Sequence, residues 1–140
     1  MGKNKGKNMK CYQVATKQEN TPAHGGIFYT ATKYHIDVGS TDCFILCSEG
    51  NGLGDTSVDD VITVTITDQS DSNNSATYTH DYSNGCSGVI TPLPPVDLNS
   101  VNSAFNNLRG KTVSIAVTFA DKCGGVESGT NIYICLNPSD

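Results

Sequence analysis

Six cysteines, three histidines and several closely spaced aspartates are the residues of this 140-residue chain best suited to chemistry. Cys11, Cys43, Cys47, Cys86, Cys123 and Cys135 are even in number, compatible with three disulfides or with a set of buried thiols. On one strand, Cys43 and Cys47 would stand about 13 Å apart at roughly 3.3 Å per residue. A disulfide tolerates only about 7 Å between Cα atoms, so these two share a face and need partners elsewhere. Cys86 and Cys123 lie in the glycine-rich strings Asn84-Gly85-Cys86-Ser87-Gly88 and Lys122-Cys123-Gly124-Gly125, which makes them the candidate loop-to-loop disulfide. Zinc is a poorer fit, because structural zinc uses ligand pairs at close loop spacing such as C-x2-C.

Oxygen ligands suit calcium, which takes six to eight of them. Asp55, Asp59 and Asp60 follow the glycine-rich loop Gly50–Gly54 and form the candidate calcium set; Asp68, Asp71 and Asn73 form a second acidic turn. No EF-hand spacing is present, and solvated turns compete with metal binding at both places. No other cofactor is implied. His24 adjoins Gly25-Gly26, while His35 and His80 lie in candidate strands without a partner at metal spacing, and they read as structural imidazoles. Serine chemistry finds no elbow: Gly85-Cys86-Ser87-Gly88 and Gly125-Val126-Glu127-Ser128-Gly129 each miss G-x-S-x-G by one position. No nucleophile, base and orienting group come together, so the chain is expected not to be an enzyme.

The string Ile36-Asp37-Val38-Gly39-Ser40-Thr41 resembles the Asp-Thr-Gly-Ser turn of aspartic proteases, where two carboxylates share a proton to activate water. Val38 replaces the hydroxyl residue of that turn, and the competing expectation is a β-turn in a hairpin.

These residues need strands to hold them. Val61–Thr67 alternates Ile62, Val64 and Ile66 with threonines. Lys111–Phe119 does the same with Val113, Ile115, Val117 and Phe119 against Thr112, Ser114 and Thr118, and Asn131–Leu136 sets Ile132, Ile134 and Leu136 together. Period two with one dry face is the mark of antiparallel sheets covered on one side. Further candidate strands are Cys11–Ala15, Ile27–Thr32, His35–Val38, Cys43–Cys47 and Ala76–Tyr82. Asp97 or Asn99 can cap one short helix running through Val101, Phe105 and Leu108 and ending before Gly110. Thr91–Pro95 before it, rich in proline, is expected to be an extended crossover. The expected fold is all-β: an antiparallel β-sandwich or jelly roll of about eight strands with one short helix.

Charge divides the chain into a basic N-terminal arm, residues 1–10, and one acidic sandwich domain, residues 11–140. Lys3, Lys5, Lys7 and Lys10 lie in the arm; the remainder carries five Lys/Arg against fourteen Asp/Glu, a net of −9. The arm is either a solvated terminus or a segment that docks on the acidic face of a neighbouring subunit. Nucleic acid is not the expected partner, since packaging it takes about one cation per neutralised phosphate. No run of about 18 apolar residues exists to span a membrane, and no apolar run follows the lysines as in a secretory leader.

The stretch Leu108-Arg109-Gly110-Lys111-Thr112-Val113-Ser114-Ile115, with Phe119-Ala120-Asp121 and Gly124-Gly125 beyond it, is similar to the closing hairpin of galactose-binding-like β-sandwich modules. That resemblance implies a jelly roll used for recognition, often of carbohydrate. Tyr78, His80 and Tyr82, on alternate positions of one strand, are the candidate sugar platform; Trp, the usual stacking partner, is absent. Two functions follow as expectations. One is a structural or assembly subunit (coat, cement or spike type), a homo-oligomer or part of a larger protein assembly on a virion or extracellular surface. The other is a lectin-like module with a glycan ligand and calcium assistance.

Overall fold

The computed structural model describes residues 9–17, 27–49, 57–58, 60–81, 91–92, 95–121 and 130–138. In chain order the strands are β1 (Lys10–Lys17), β2 (Ile27–Asp37), β3 (Asp42–Glu49), β4 (Ser57–Val58), β5 (Asp60–Asp68), β6 (Asp71–Asp81), β7 (Thr91–Pro92), β8 (Val96–Asp97), β9 (Thr112–Asp121) and β10 (Thr130–Pro138). Two antiparallel four-stranded sheets result, one ordered β1-β10-β3-β8 and the other β2-β9-β5-β6, with β4 and β7 pairing separately.

That order has a simple origin. Strand β5 pairs with β6, β3 with β8, β2 with β9 and β1 with β10, so the chain is a nested antiparallel ribbon whose tip is the β5–β6 turn. Rolling the ribbon sends successive pairs to opposite sheets, which is the winding of a jelly roll. Among the described residues, only β5 and β6 are consecutive strands joined as a hairpin. The β2-to-β3 connection and the β9-to-β10 connection both cross from one sheet to the other, so neither is the hairpin expected from sequence. Alternation records which face of a strand is dry, and a hairpin and an inter-sheet arch leave the same record.

The core lies between the sheets. Ile62, Val64 and Ile66 of β5 and Val113, Ile115 and Val117 of β9 face Phe44 and Leu46 of β3 and Ile132, Ile134 and Leu136 of β10, all buried. Burying each of these side chains contributes roughly 1.5–3 kcal/mol. On the outer side of β5 the threonines form a cross-strand ladder: Thr63 with Thr79 and Thr65 with Thr77, each at 3.2 Å, and Thr67 with Ser75 at 3.1 Å.

Strand β2 merges the two segments expected as Ile27–Thr32 and His35–Val38. Its pairing with β9 shifts between Lys33 and Ile36, where His35 takes a positive φ of 58°, a conformation uncommon outside glycine. The single helix expected is two: α1 (Leu98–Val101) and a 3-10 helix (Ser103–Leu108). Asp97 caps the first, its carboxylate accepting from Asn99 N. Asn102, in extended conformation, closes α1 through its N–H and starts the next helix by accepting from Ala104 N at 3.0 Å. A strong cap inside the run stops one helix and begins another.

Leu98, Phe105 and Leu108 plug the core from this crossover, and the Phe105 ring lies 5.9 Å from that of Phe44 at a tilt of 54°. Asparagines tie it to both sheets. Asn99 Oδ1 accepts from Phe44 N of β3 at 2.7 Å; Asn102 Nδ2 donates to Thr77 O of β6 at 3.2 Å; Asn74 Nδ2 of β6 donates to Asn107 O at 2.8 Å. Among the described residues no helix is long and apolar enough to cross a membrane.

Candidate functional site

Where β2 passes to β3, the chain turns a corner between sheets at Asp37-Val38-Gly39-Ser40-Thr41-Asp42. The aspartic-protease-like string is this corner, and its aspartates are engaged in holding it. Asp42 Oδ2 accepts from Gly39 N at 2.7 Å, and Asp42 N donates to Gly39 O at 3.2 Å. A Cβ on residue 39 would come 3.0 Å from Asp42 Oδ2, so a larger residue there requires that carboxylate to shift by a few tenths of an ångström. Asp37 Oδ1 accepts from Thr112 Oγ1 at 2.7 Å. From the β9 side, Arg109 Nε donates to Asp42 O at 2.7 Å and its Nη2 to Cys43 Sγ at 3.1 Å. Gly110, at φ 73°, donates its N–H to Gly39 O, and Val38 N donates to Lys111 O at 2.9 Å.

Beside this corner opens a cleft of about 380 Å³, lined by Lys10 of β1, Asp37, Val38, Gly39 and Asp42, and Leu136 and Pro138 of β10. Register explains the gathering: Lys10 pairs with Leu136, and Pro138 pairs with Asp42. The lining joins the apolar residues Val38, Leu136 and Pro138 with two aspartates and one lysine. Such a lining suits an amphipathic cation, a lysine or arginine whose stem lies on Val38, Leu136 and Pro138 while its charge meets Asp37 and Asp42.

Of the residues singled out by type, Lys10 is exposed and enters this cleft, whereas Lys3, Lys5 and Lys7 lie outside the described residues. Asp55 and Asp59 also lie outside them, and Asp60 opens β5. Among the described residues no group of three or more His, Cys, Asp or Glu is disposed to hold a metal. The second acidic turn is built into the fold. Asp68, 4 % exposed, accepts through Oδ1 from Ser70 N at 2.9 Å and Ser70 Oγ at 2.8 Å, and through Oδ2 from Asn74 Nδ2 at 3.3 Å. The Ser70 N–H, then the Ser70 hydroxyl, hold its carboxyl below the usual range, with smaller help from Asn74 and Lys111 against the opposing effect of burial. Asp71 Oδ1 accepts from Asn73 N at 3.0 Å.

Tyr78 and His80 share one face of β6, their rings parallel within 5° and 6.3 Å apart. It is the face that Ala76 buries, and Tyr78 packs against the core. Tyr82 lies outside the described residues.

Cys86 and Cys123 lie outside the described residues, while Cys11 and Cys135 form a disulfide across directly paired positions of β1 and β10. Cys43 and Cys47 are thiols on the same face of β3, as their spacing requires, and Cys47 Sγ lies 3.5 Å from Cys135 Sγ. Pairing Cys11 with Cys135 needs the knowledge that the first and last strands are neighbours, which spacing along the chain does not contain. Spacing does not mark Arg109 either, and the signal for the ties made by the crossover asparagines is the density of Asn in Leu98–Leu108. No family model, no curated protein and no solved structure matches this chain.

Proposed function

We propose that this protein is a non-catalytic structural subunit that assembles with copies of itself, as a coat, cement or spike component on a virion or extracellular surface. In that assembly the lysine-bearing N-terminal segment of one copy seats in the aspartate-bearing cleft of the next. The supporting observation is local. Lys10, last of the four lysines, begins β1, the terminal strand of its sheet, and lines the same cleft as Asp37 and Asp42. Lys10 therefore stands at a socket that also holds two aspartates, which a neighbour's segment can fill. The net of −9 outside the first ten residues gives the same sign over longer range. Jelly rolls serve in coats and in lectins alike, so the fold supports the class of object and the charge pattern supports the choice within it.

The test compares the full chain with one lacking residues 1–9, by light scattering together with circular dichroism. The expected result is an oligomer that falls to monomer on truncation while the strand spectrum is kept. Identical monomers in both preparations would refute the proposal. Saturable binding of a monomer to a glycan array, reduced by Tyr82→Ala or by a calcium chelator, would replace it with the lectin-like alternative.

A further inference from the structure

The outer face of the β1-β10-β3-β8 sheet brings three cysteines into one cluster. Cys11 lies directly opposite Cys135, Cys135 lies opposite Ile45, and Cys47 stands two residues from Ile45 on the same side of β3. The Cys47 sulfur is 3.5 Å from the Cys135 sulfur, in contact with a disulfide it does not belong to. We propose that Cys47 and the Cys11–Cys135 bond form an internal thiol–disulfide exchange site that moves the sheet's covalent tie between β1–β10 and β10–β3.

The step needs nothing from outside. Cys47 gives up its thiol proton to solvent, and the thiolate attacks Cys135 Sγ. The Cys47–Cys135 bond forms as the Cys11–Cys135 bond breaks, and Cys11 leaves as a thiolate that takes up a proton. One disulfide and one thiol stand on each side, so the oxidation state is unchanged.

Geometry sets the direction of attack. Cys135 is 2 % exposed, which screens its sulfur from external thiols, whereas Cys47 is already held against it. Chain entropy barely distinguishes the two bonds. They close separations of 124 and 88 residues, and a three-halves power of that ratio is less than about twofold. Native packing decides the balance. The consequence is specific, because β1 is a terminal strand and β3 is an inner one. Exchange removes the tie from the strand that follows the lysine segment and leaves Cys11, an exposed position, as the thiol.

The experiment is disulfide mapping of the folded, full-length protein held at mildly alkaline pH without added thiol, then quenched in acid, alkylated with N-ethylmaleimide, digested and read by mass spectrometry. Two linked peptide sets are expected, Cys11–Cys135 with alkylated Cys47 and Cys47–Cys135 with alkylated Cys11, in a ratio independent of protein concentration. Cys47→Ser should abolish alkylation of Cys11. Cys11→Ser, oxidised with a glutathione couple, supplies the reference Cys47–Cys135 peptide; if that variant does not fold, the comparison of wild type with Cys47→Ser still decides. Finding only Cys11–Cys135 in the wild type, or equal Cys11 alkylation with and without Cys47, overturns the proposal.

Discussion

Asn102 donates its side-chain amide to the carbonyl of Thr77 while its own oxygen accepts from Ala104 N, so one residue both starts a helix and covers an edge of β6. Terminal strands present unpaired peptide groups, and covering them limits edge-to-edge pairing between molecules. Asn102→Ala removes a cap, worth about 1 kcal/mol, and a hydrogen bond worth about 0.5–1.5 kcal/mol. The expected result is a loss of about 1.5–2.5 kcal/mol in urea unfolding, with faster aggregation on heating.

The crossover also closes the core. Phe105 is fully buried against Phe44, whereas Val101, four residues earlier, is 55 % exposed. Phe105→Ala should cost about 3–5 kcal/mol through lost transfer and a residual cavity. Val101→Ala should stay within about 0.5 kcal/mol, as surface substitutions do. Denaturation midpoints at unchanged slope check both; equal effects would mean the crossover does not plug the core.

Asp68 makes stability pH-dependent with a definite sign. Its folded pKa lies below the unfolded value because Ser70 N–H, the Ser70 hydroxyl and Asn74 hydrogen-bond the charged form. The contribution is therefore present above the unfolded pKa of 3.8 and is lost as pH falls through the folded value. Asp68→Asn should flatten the acid limb of the stability–pH curve, leaving its shape above about pH 6 unchanged. Urea unfolding at a series of pH values reads this, and an unaltered acid limb would show that the Ser70 contacts do not outlast exchange with water.

How much of this the sequence carries depends on range. Ile62, Val64 and Ile66, with Val113, Ile115 and Val117, mark their buried faces by alternation alone, and capping chemistry narrows the start of α1 to Asp97 or Asn99, of which the structure selects Asp97. The carboxylates of Asp37 and Asp42 are visible as a turn signal, with Gly39 between them. What alternation does not contain is partnership. Nothing local tells Cys11 that Cys135 is opposite, or joins Lys10 to Asp42 through Pro138 and Leu136. Those relations arise from the rolling of a long ribbon, which pairs the first strand, β1, with the last, β10. The bulge at His35 is hidden for a related reason, since the shift there is needed only to keep register with β9.

If the lysine segment seats in the cleft by charge, self-association must respond both to salt and to the loss of one carboxylate. Exposed charges are screened within about 10 Å at 0.1 M salt and about 3 Å at 1 M. Asp37→Asn removes the negative charge while its amide oxygen can still accept from Thr112 Oγ1, so the corner between β2 and β3 is kept. An exposed ion pair contributes about 0.2–1 kcal/mol, so the association constant should fall by up to about fivefold. The remaining salt dependence should also become shallower than in the wild type. Sedimentation equilibrium across a salt series measures both, with Asp81→Asn on the far strand β6 as a control of the same charge change. Equal responses of the two variants would assign the effect to net charge and remove the cleft from the interface.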